Sequence, residues 1–282
     1  MNNLVTIFWD VTPTIFDVGP LSIRWYGLLY AMTFLVGLLL LQRMFRYEKV
    51  DPTWADSVFL SMIFGVIIGA RLGHCFFYDP MYYLSNPAKI FKIWEGGLAS
   101  HGGAIGIILA LWIFSKKISK RSILWILDRV VPMVALGGLF IRTGNLMNSE
   151  IIGNPTDLPW GFIFASVDNI PRHPTQIYEA LLYTTIFILL GYFYLKTEKK
   201  DHHGFMFGLF MALAFLGRFL IEFVKENQEA FEEGMVLNMG QLLSIPFIIF
   251  GIYFIFRKTE KKVYPPYKVV VDKNTQKNGK KK

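Results

Sequence analysis

The stretch GFMFGLFMALAFLGRFLIEFV, residues 204–224, is uncharged from end to end apart from Arg218 and Glu222. A helix needs about 20 mostly apolar residues to cross the hydrocarbon core of a bilayer, and this stretch is long enough. Six others read the same way: 22–41, 55–78, 97–114, 123–142, 177–195 and 237–256. The composition agrees, since 53% of the 282 residues are hydrophobic, 26 are Phe and only 18% are charged, which is too apolar for a domain dissolved in water. The expected fold is an all-α integral membrane protein with seven transmembrane helices. Its polytopic membrane domain covers 1–256. A basic tail over 257–282, Lys/Asn-rich and without apolar periodicity, is expected to be disordered.

Lysine and arginine placement sets the orientation. One group of connections holds Arg43, Arg46 and Lys49, then Lys116, Lys117, Lys120 and Arg121, then Lys196, Lys199 and Lys200, with the tail on the same side. The opposite group holds Lys89, Lys92, Arg172 and Lys225, diluted by Asp79, Asp157, Asp168 and the acidic run Glu226, Glu229, Glu232 and Glu233. By the positive-inside rule the first side is cytoplasmic, so the N-terminus is outside and the C-terminus inside. The net charge of +8 is therefore read as topology, not as a nucleic-acid surface. Residues 1–13 carry Asp10 but no Lys or Arg, so no cleaved leader is expected. Segment 148–175 is too polar to span and is punctuated by Gly153, Pro155, Pro159, Pro171 and Pro174; it reads as an ordered outer cap. The single Cys75 leaves no partner for an intramolecular disulfide and no cysteine-based metal site.

Ionisable residues inside a membrane are costly and mark function, so their depth is informative. Arg24 lies near the outer start of the first span, and Arg71 about seven residues, or ~10 Å, before the outer end of the second. His101 is just inside the outer start of the third. Arg142 closes the fourth, Glu179 opens the fifth, and Arg218 and Glu222 share a face near the end of the sixth. All converge on the outer third. Asp128 and Arg129, nearer the cytoplasmic side, read as a local pair, and His202 and His203 as solvated loop residues.

Arginine presents a planar, permanently charged fork suited to phosphate, so a phospholipid head group is the natural partner of such a cluster. The run GGLASHGGAIG, residues 96–106, surrounds His101 with glycines. It reads either as a site where backbone approaches a ligand or as a glycine-lined helix seam. No His, Asp or Glu set has metal spacing, although Glu150, Glu179 and Glu222 are candidates to converge, and no cofactor is expected.

RTGNLMNSEIIG, residues 142–153, resembles the signature of the prolipoprotein diacylglyceryl transferase family: Arg142, Gly144-Asn145, Asn148, Glu150 and Gly153 in the family's spacing. Arg24-Trp25-Tyr26-Gly27, His101-Gly102-Gly103, the run from Arg172 to Glu179, and Arg218 with Glu222 extend the resemblance over roughly residues 16 to 256. Ile141 replaces a usual Gly and Leu146 a usual Phe. The resemblance implies an enzyme of the bacterial cytoplasmic (inner) membrane, multi-pass, acting at the outer face. It implies transfer of diacylglyceryl from phosphatidylglycerol to the lipobox cysteine of prolipoprotein signal peptides, giving a thioether and glycerol phosphate. The expected catalytic residues are His101, as thiol base, with Arg142 and Arg218 on the departing phosphate. Tyr26, Arg71, Gly102, Gly103, Asn145, Asn148, Glu150, Gly153 and Glu222 are the expected substrate-binding set. The competing reading is a non-catalytic phospholipid-binding or lipid-transport protein using the same arginines.

Overall fold

The computed structural model describes residues 6–227, 232 and 234–267. Glu229, Glu233 and the end of the tail, 268–282, lie outside the described residues, as do 1–5.

The chain opens with strand β1 (Ile7–Trp9) and a hairpin, β2 (Thr14–Val18) and β3 (Leu21–Arg24). Helices α1 (Trp25–Tyr47) and α2 (Thr53–Phe77) follow, then a short helix α3 (Pro80–Ser85) and α4 (Ser100–Phe114), which runs on through a π turn at Ser115–Ser119. Next come α5 (Ile123–Met147), β4 (Phe162–Phe164), β5 (Pro171–Arg172), α6 (Thr175–Lys196), α7 (Phe205–Ile221) and α8 (Met239–Phe256). Seven of these helices are long and apolar enough to cross a membrane. Their outward-facing side chains, among them Leu35, Ile108, Ile188 and Ile249, are exposed, as lipid contact requires.

The expected seven spans are all present, with shifted ends. Arg43 and Arg46 ride on the last turns of α1, and α5 continues five residues beyond Arg142. The fold is mostly helical rather than purely so. The cap is a small sheet in which β4 pairs parallel with β1 and antiparallel with β5, over a core of Leu146, Ile152, Phe162 and Phe164. Alternating strands this short carry no readable period against a chain that is apolar everywhere.

Local chemistry fixes the helix ends. Ser122 accepts the Leu124 N–H at the start of α5, and Asn238 and Gln241 form a capping box on α8. Buried Asp128 accepts the backbone N–H of Gly204 (2.7 Å) and Phe207 (2.9 Å), capping α7 from a neighbouring helix. Arg129 instead grips Glu48 through Nε (2.8 Å) and Nη2 (3.0 Å). The local pair read from sequence is present, with Arg129 Nη1 4.0 Å from Asp128 Oδ2, and each member also ties to a distant part of the chain. α2 and α4 meet along a glycine seam: a Cβ on Gly73 would lie 2.8 Å from Gly102 Cα, and one on Gly106 would lie 2.9 Å from Gly69 Cα. Such close backbone approach is how membrane helices associate without a hydrophobic driving force. The tail is docked rather than free as far as Tyr267: the Tyr264 hydroxyl accepts the Ser122 N–H at 3.0 Å.

Candidate functional site

The signature segment begins on the last turns of α5. Arg142 and Asn145 are three residues apart on that helix, and Arg142 Nη1 donates to Asn145 Oδ1 at 3.3 Å. Asn145 Nδ2 donates in turn to Glu150 Oε1 at 2.7 Å, and Asn148 Nδ2 reaches the same oxygen at 3.3 Å. The chain reverses between them through Ser149 (φ 52°) and Ile151 (φ 60°), left-handed positions that a β-branched residue adopts only when held there. The start of α6 holds them: Gln176 Nε2 donates to the Glu150 carbonyl and Thr175 Oγ1 to the Ile151 carbonyl, both at 2.7 Å, from fully buried positions.

One turn further along α6, Glu179 faces Arg142, with Oε2 3.0 Å from Nε in an ion pair set off the hydrogen-bond direction. Lys225 Nζ lies 3.8 Å from Glu179 and 3.2 Å from Glu222, and Glu222 pairs with Arg218 Nε at 3.5 Å. The result is one alternating chain, Arg142–Glu179–Lys225–Glu222–Arg218. Asn238 Nδ2 adds a bond to Glu222 Oε2 at 3.2 Å. The three inner members are at least 93% buried, whereas the Arg142 and Arg218 side chains are 19% and 47% exposed. Burying charges is tolerable only when each is matched, and here every inner charge has opposite neighbours on both sides. Among the described residues Arg142 Nη2 and both terminal nitrogens of Arg218 make no bond, leaving donors for an incoming anion.

Gly153 is where the cap crosses the end of α7. It bridges to Lys225, and a Cβ there would lie 2.5 Å from His173 Cβ and 2.6 Å from the carbonyl oxygens of His173 and Val224. The missing side chain allows this close backbone passage. Tyr26 packs its ring against Gly144, where a Cβ would sit 2.8 Å from Cδ2, so the first span is fitted to the signature helix.

Other expected site residues sit on the α2–α4 pair. His101, in the first turn of α4, is exposed and makes no hydrogen bond or ion pair among the described residues. Gly102 and Gly103 are buried against α2, which is the helix-seam reading rather than the binding one. Arg71 sits on the same helix pair. It is buried, and its guanidinium is spent on backbone carbonyls, Nε on Ile90 (2.9 Å), Nη2 on Lys89 (2.6 Å) and Nη1 on Gly96 and Gly97. It braces the connection leading to His101, with four of its five N–H donors on backbone carbonyls. The glutamates do not assemble as a metal site either. Glu179 and Glu222 are tied through Lys225, Glu150 binds two asparagines, and among the described residues no three His, Cys, Asp or Glu side chains cluster for an ion.

Lys225 is absent from the expected set, having been counted as a loop charge. Its i, i+3 spacing from Glu222 was the available signal. Asn238 and Gln176 gave none as polar residues beside apolar spans.

Fold and site together define a polytopic membrane protein with two arginines braced by a buried charge chain at one end of its bundle. The family model described as prolipoprotein diacylglyceryl transferase matches residues 13–257. Over 255 residues the chain is 47% identical to the phosphatidylglycerol–prolipoprotein diacylglyceryl transferase of Chloroherpeton thalassium, covering 90% of this chain and 95% of that one. The protein of the same name from Tolumonas auensis is 46% identical over 256 residues, covering 91% and 99%. That of Porphyromonas gingivalis is 46% identical over 272 residues, covering 91% and 96%. The chain belongs to the prolipoprotein diacylglyceryl transferase family.

Proposed function

We propose that the chain transfers the diacylglyceryl group of phosphatidylglycerol to the lipobox cysteine thiol of a prolipoprotein, with the braced arginines as the phosphate clamp. The observation that carries this reading is the alternating charge chain, which holds Arg142 and Arg218 at its two ends with donors unspent. Attack by sulfur on a saturated glyceryl carbon forms the C–S bond as the C–O bond to phosphate breaks, and negative charge grows on the departing glycerol phosphate. Donors fixed where that charge develops lower the barrier without reorganising during the step. A thiol of pKa about 8.5 is mostly protonated near neutrality, so His101, exposed beside the glycine seam, takes the thiol proton. Tyr26, Asn145, Asn148 and Glu150 keep the Arg142 segment in place, and Glu222 does the same for Arg218.

The lysine and arginine distribution supports an outward-facing site in the bacterial cytoplasmic membrane, with the N-terminus outside and the C-terminus inside. Purified protein given phosphatidylglycerol and a lipobox peptide should release glycerol phosphate and form a thioether. Arg142→Lys and Arg218→Lys keep the charge but lose the fork, and each should slow turnover by at least ~10² while the protein still inserts and folds. Lipid binding without release of glycerol phosphate by the parental protein would replace the enzyme reading with a lipid-binding one.

A further inference from the structure

The end of the bundle away from the arginine clamp carries a second constellation that the transfer reaction does not use. Between α4 and α5 the chain turns through Ser115–Ser119 and Lys120, whose φ is 54°. The turn is tied down at three points. Ser115 Oγ donates to the Arg121 carbonyl (2.6 Å), the Arg121 N–H to Ser119 Oγ (3.3 Å), and the Ser122 N–H to the Tyr264 hydroxyl (3.0 Å). The Arg121 guanidinium carbon then lies 5.1 Å from the Trp54 ring, 4.3 Å from Trp125 and 4.6 Å from Tyr264. It is buried in this aromatic cage, and among the described residues no carboxylate pairs with it directly. Aromatic faces stabilise a cation but do not neutralise it.

Three clefts meet at Arg121. One also contains Asp51 and shares Lys120, and another contains Glu48 and Asp201 and shares Lys262. The third, about 420 Å³, gathers Lys116, Lys120 and Lys262 around Arg121, with the Ser122 hydroxyl at its edge and no acid in its lining. Lys116 is exposed and has no partner among the described residues, while Lys120 and Lys262 contact only the Lys116 carbonyl (2.9 Å) and the Tyr264 ring (5.4 Å). From this cleft an exposed apolar stripe climbs α4: Trp112 one turn from Lys116, then Leu109, Ile108 and Ile105. A cation pocket at the foot of a lipid-facing stripe, with an indole at the boundary, is the shape of a phosphate ester carrying an acyl chain.

We propose that this cleft binds the phosphate of an anionic glycerophospholipid from the leaflet at the basic end, its acyl chain lying along the α4 stripe. α5 separates it from Arg142 by twenty residues counted from Ser122, or ~30 Å, so it is distinct from the donor site. The bound phosphate links the α4–α5 turn to the docked segment around Lys262.

The test is native mass spectrometry of the full chain in detergent, titrated with phosphatidic acid, phosphatidylcholine or inorganic phosphate. The parental protein should retain one more phosphatidic acid than Lys116→Gln/Lys262→Gln, and the double variant should bind that lipid about fivefold more weakly per lysine removed. Arg218→Lys, altered only in the clamp, should keep the site, and phosphatidylcholine should not occupy it. Trp112→Ala should weaken phosphatidic acid retention without touching a lysine, which guards against a folding artefact. Equal retention by parent and double variant overturns the proposal. So does displacement of the lipid by millimolar inorganic phosphate, which would make this a site for a soluble anion.

Discussion

Lys225 is the middle member of the charge chain, and its removal tests whether that chain sets the arginines. Its Nζ sits 3.2 Å from Glu222 and 3.8 Å from Glu179. At an effective dielectric of about 20 those contacts amount to roughly 5 and 4 kcal/mol of Coulomb attraction. Desolvation and the repulsion between the two carboxylates offset most of it, so the measured cost is that of breaking a buried pair, about 3–5 kcal/mol. Lys225→Met keeps the length of the side chain and removes the charge, leaving two buried carboxylates facing each other. Part of the cost appears as lost thermal stability. The rest appears in catalysis, because Glu179 and Glu222 shift and Arg142 and Arg218 lose their fixed spacing. We expect kcat/KM for phosphatidylglycerol to fall by about 10²-fold, mostly in kcat, since a misplaced clamp loses more stabilisation of the developing phosphate charge than of ground-state binding. Lys225→Arg should recover much of the loss. The assay is glycerol phosphate release at saturating lipobox peptide, with a thermal melt in the same detergent. A Lys225→Met protein with parental melting and kcat/KM within twofold would refute the reasoning.

Three other outcomes follow from particular contacts. His101→Asn should lower turnover by about 10²–10⁴-fold at neutral pH and recover in part at alkaline pH, where the peptide thiol ionises unaided; a parental rate at every pH removes His101 as the base. Gly153→Ala places a methyl against the carbonyls of His173 and Val224, so the cap should detach from the end of α7, read as faster proteolysis of the cap and a lower melting temperature; an unchanged protein would mean the crossing is looser than its geometry. Burial, reinforced by Arg129, lowers the His203 pKa to about 4, so the folded state binds fewer protons than the unfolded one between about pH 6.5 and 4. Stability should therefore be complete above that window and fall as pH drops through it. Proteolytic release of the segment stacked on His203 through Tyr264 should accelerate in step, and His203→Gln should abolish the dependence.

The spans were legible because a bilayer demands long apolar helices and the chain supplies them without ambiguity. The ends were less so: α5 reads as stopping at Arg142 because a charge looks like a boundary, yet Arg142 stays helical with Glu179 as its counter-ion. Arg142, Arg218 and the signature loop were legible as residue types at given depths, and the structure places both arginines on one ion-pair chain. Their bracing was not, because Lys225, Glu179 and Asn238 come from three places in the chain and meet only through the topology. Arg71 shows the opposite failure. Depth and charge marked it as a binder, and only the structure shows that the carbonyls of Lys89, Ile90, Gly96 and Gly97 take four of its five donors. His203 was misread for a related reason, since nothing local announces that Tyr264 returns to stack on it at 5.5 Å.

The site is divided between two packing units. The clamp belongs to α5, α6 and α7 with the cap, tied by ion pairs and by the loop that α6 pins. His101 belongs to the α2–α4 pair, whose glycine seam brings the two backbones into contact and whose connection Arg71 braces. α4 touches α5 only lightly, whereas α2 packs along the length of α4. In the proposed reaction the base and the phosphate donors must act on two substrates at once, a thiol and a phosphate ester. Mounting them on separate packing units gives each its own preorganised shell. In that proposal the seam glycines act without touching a ligand, because they fix the backbone that carries His101 against α2.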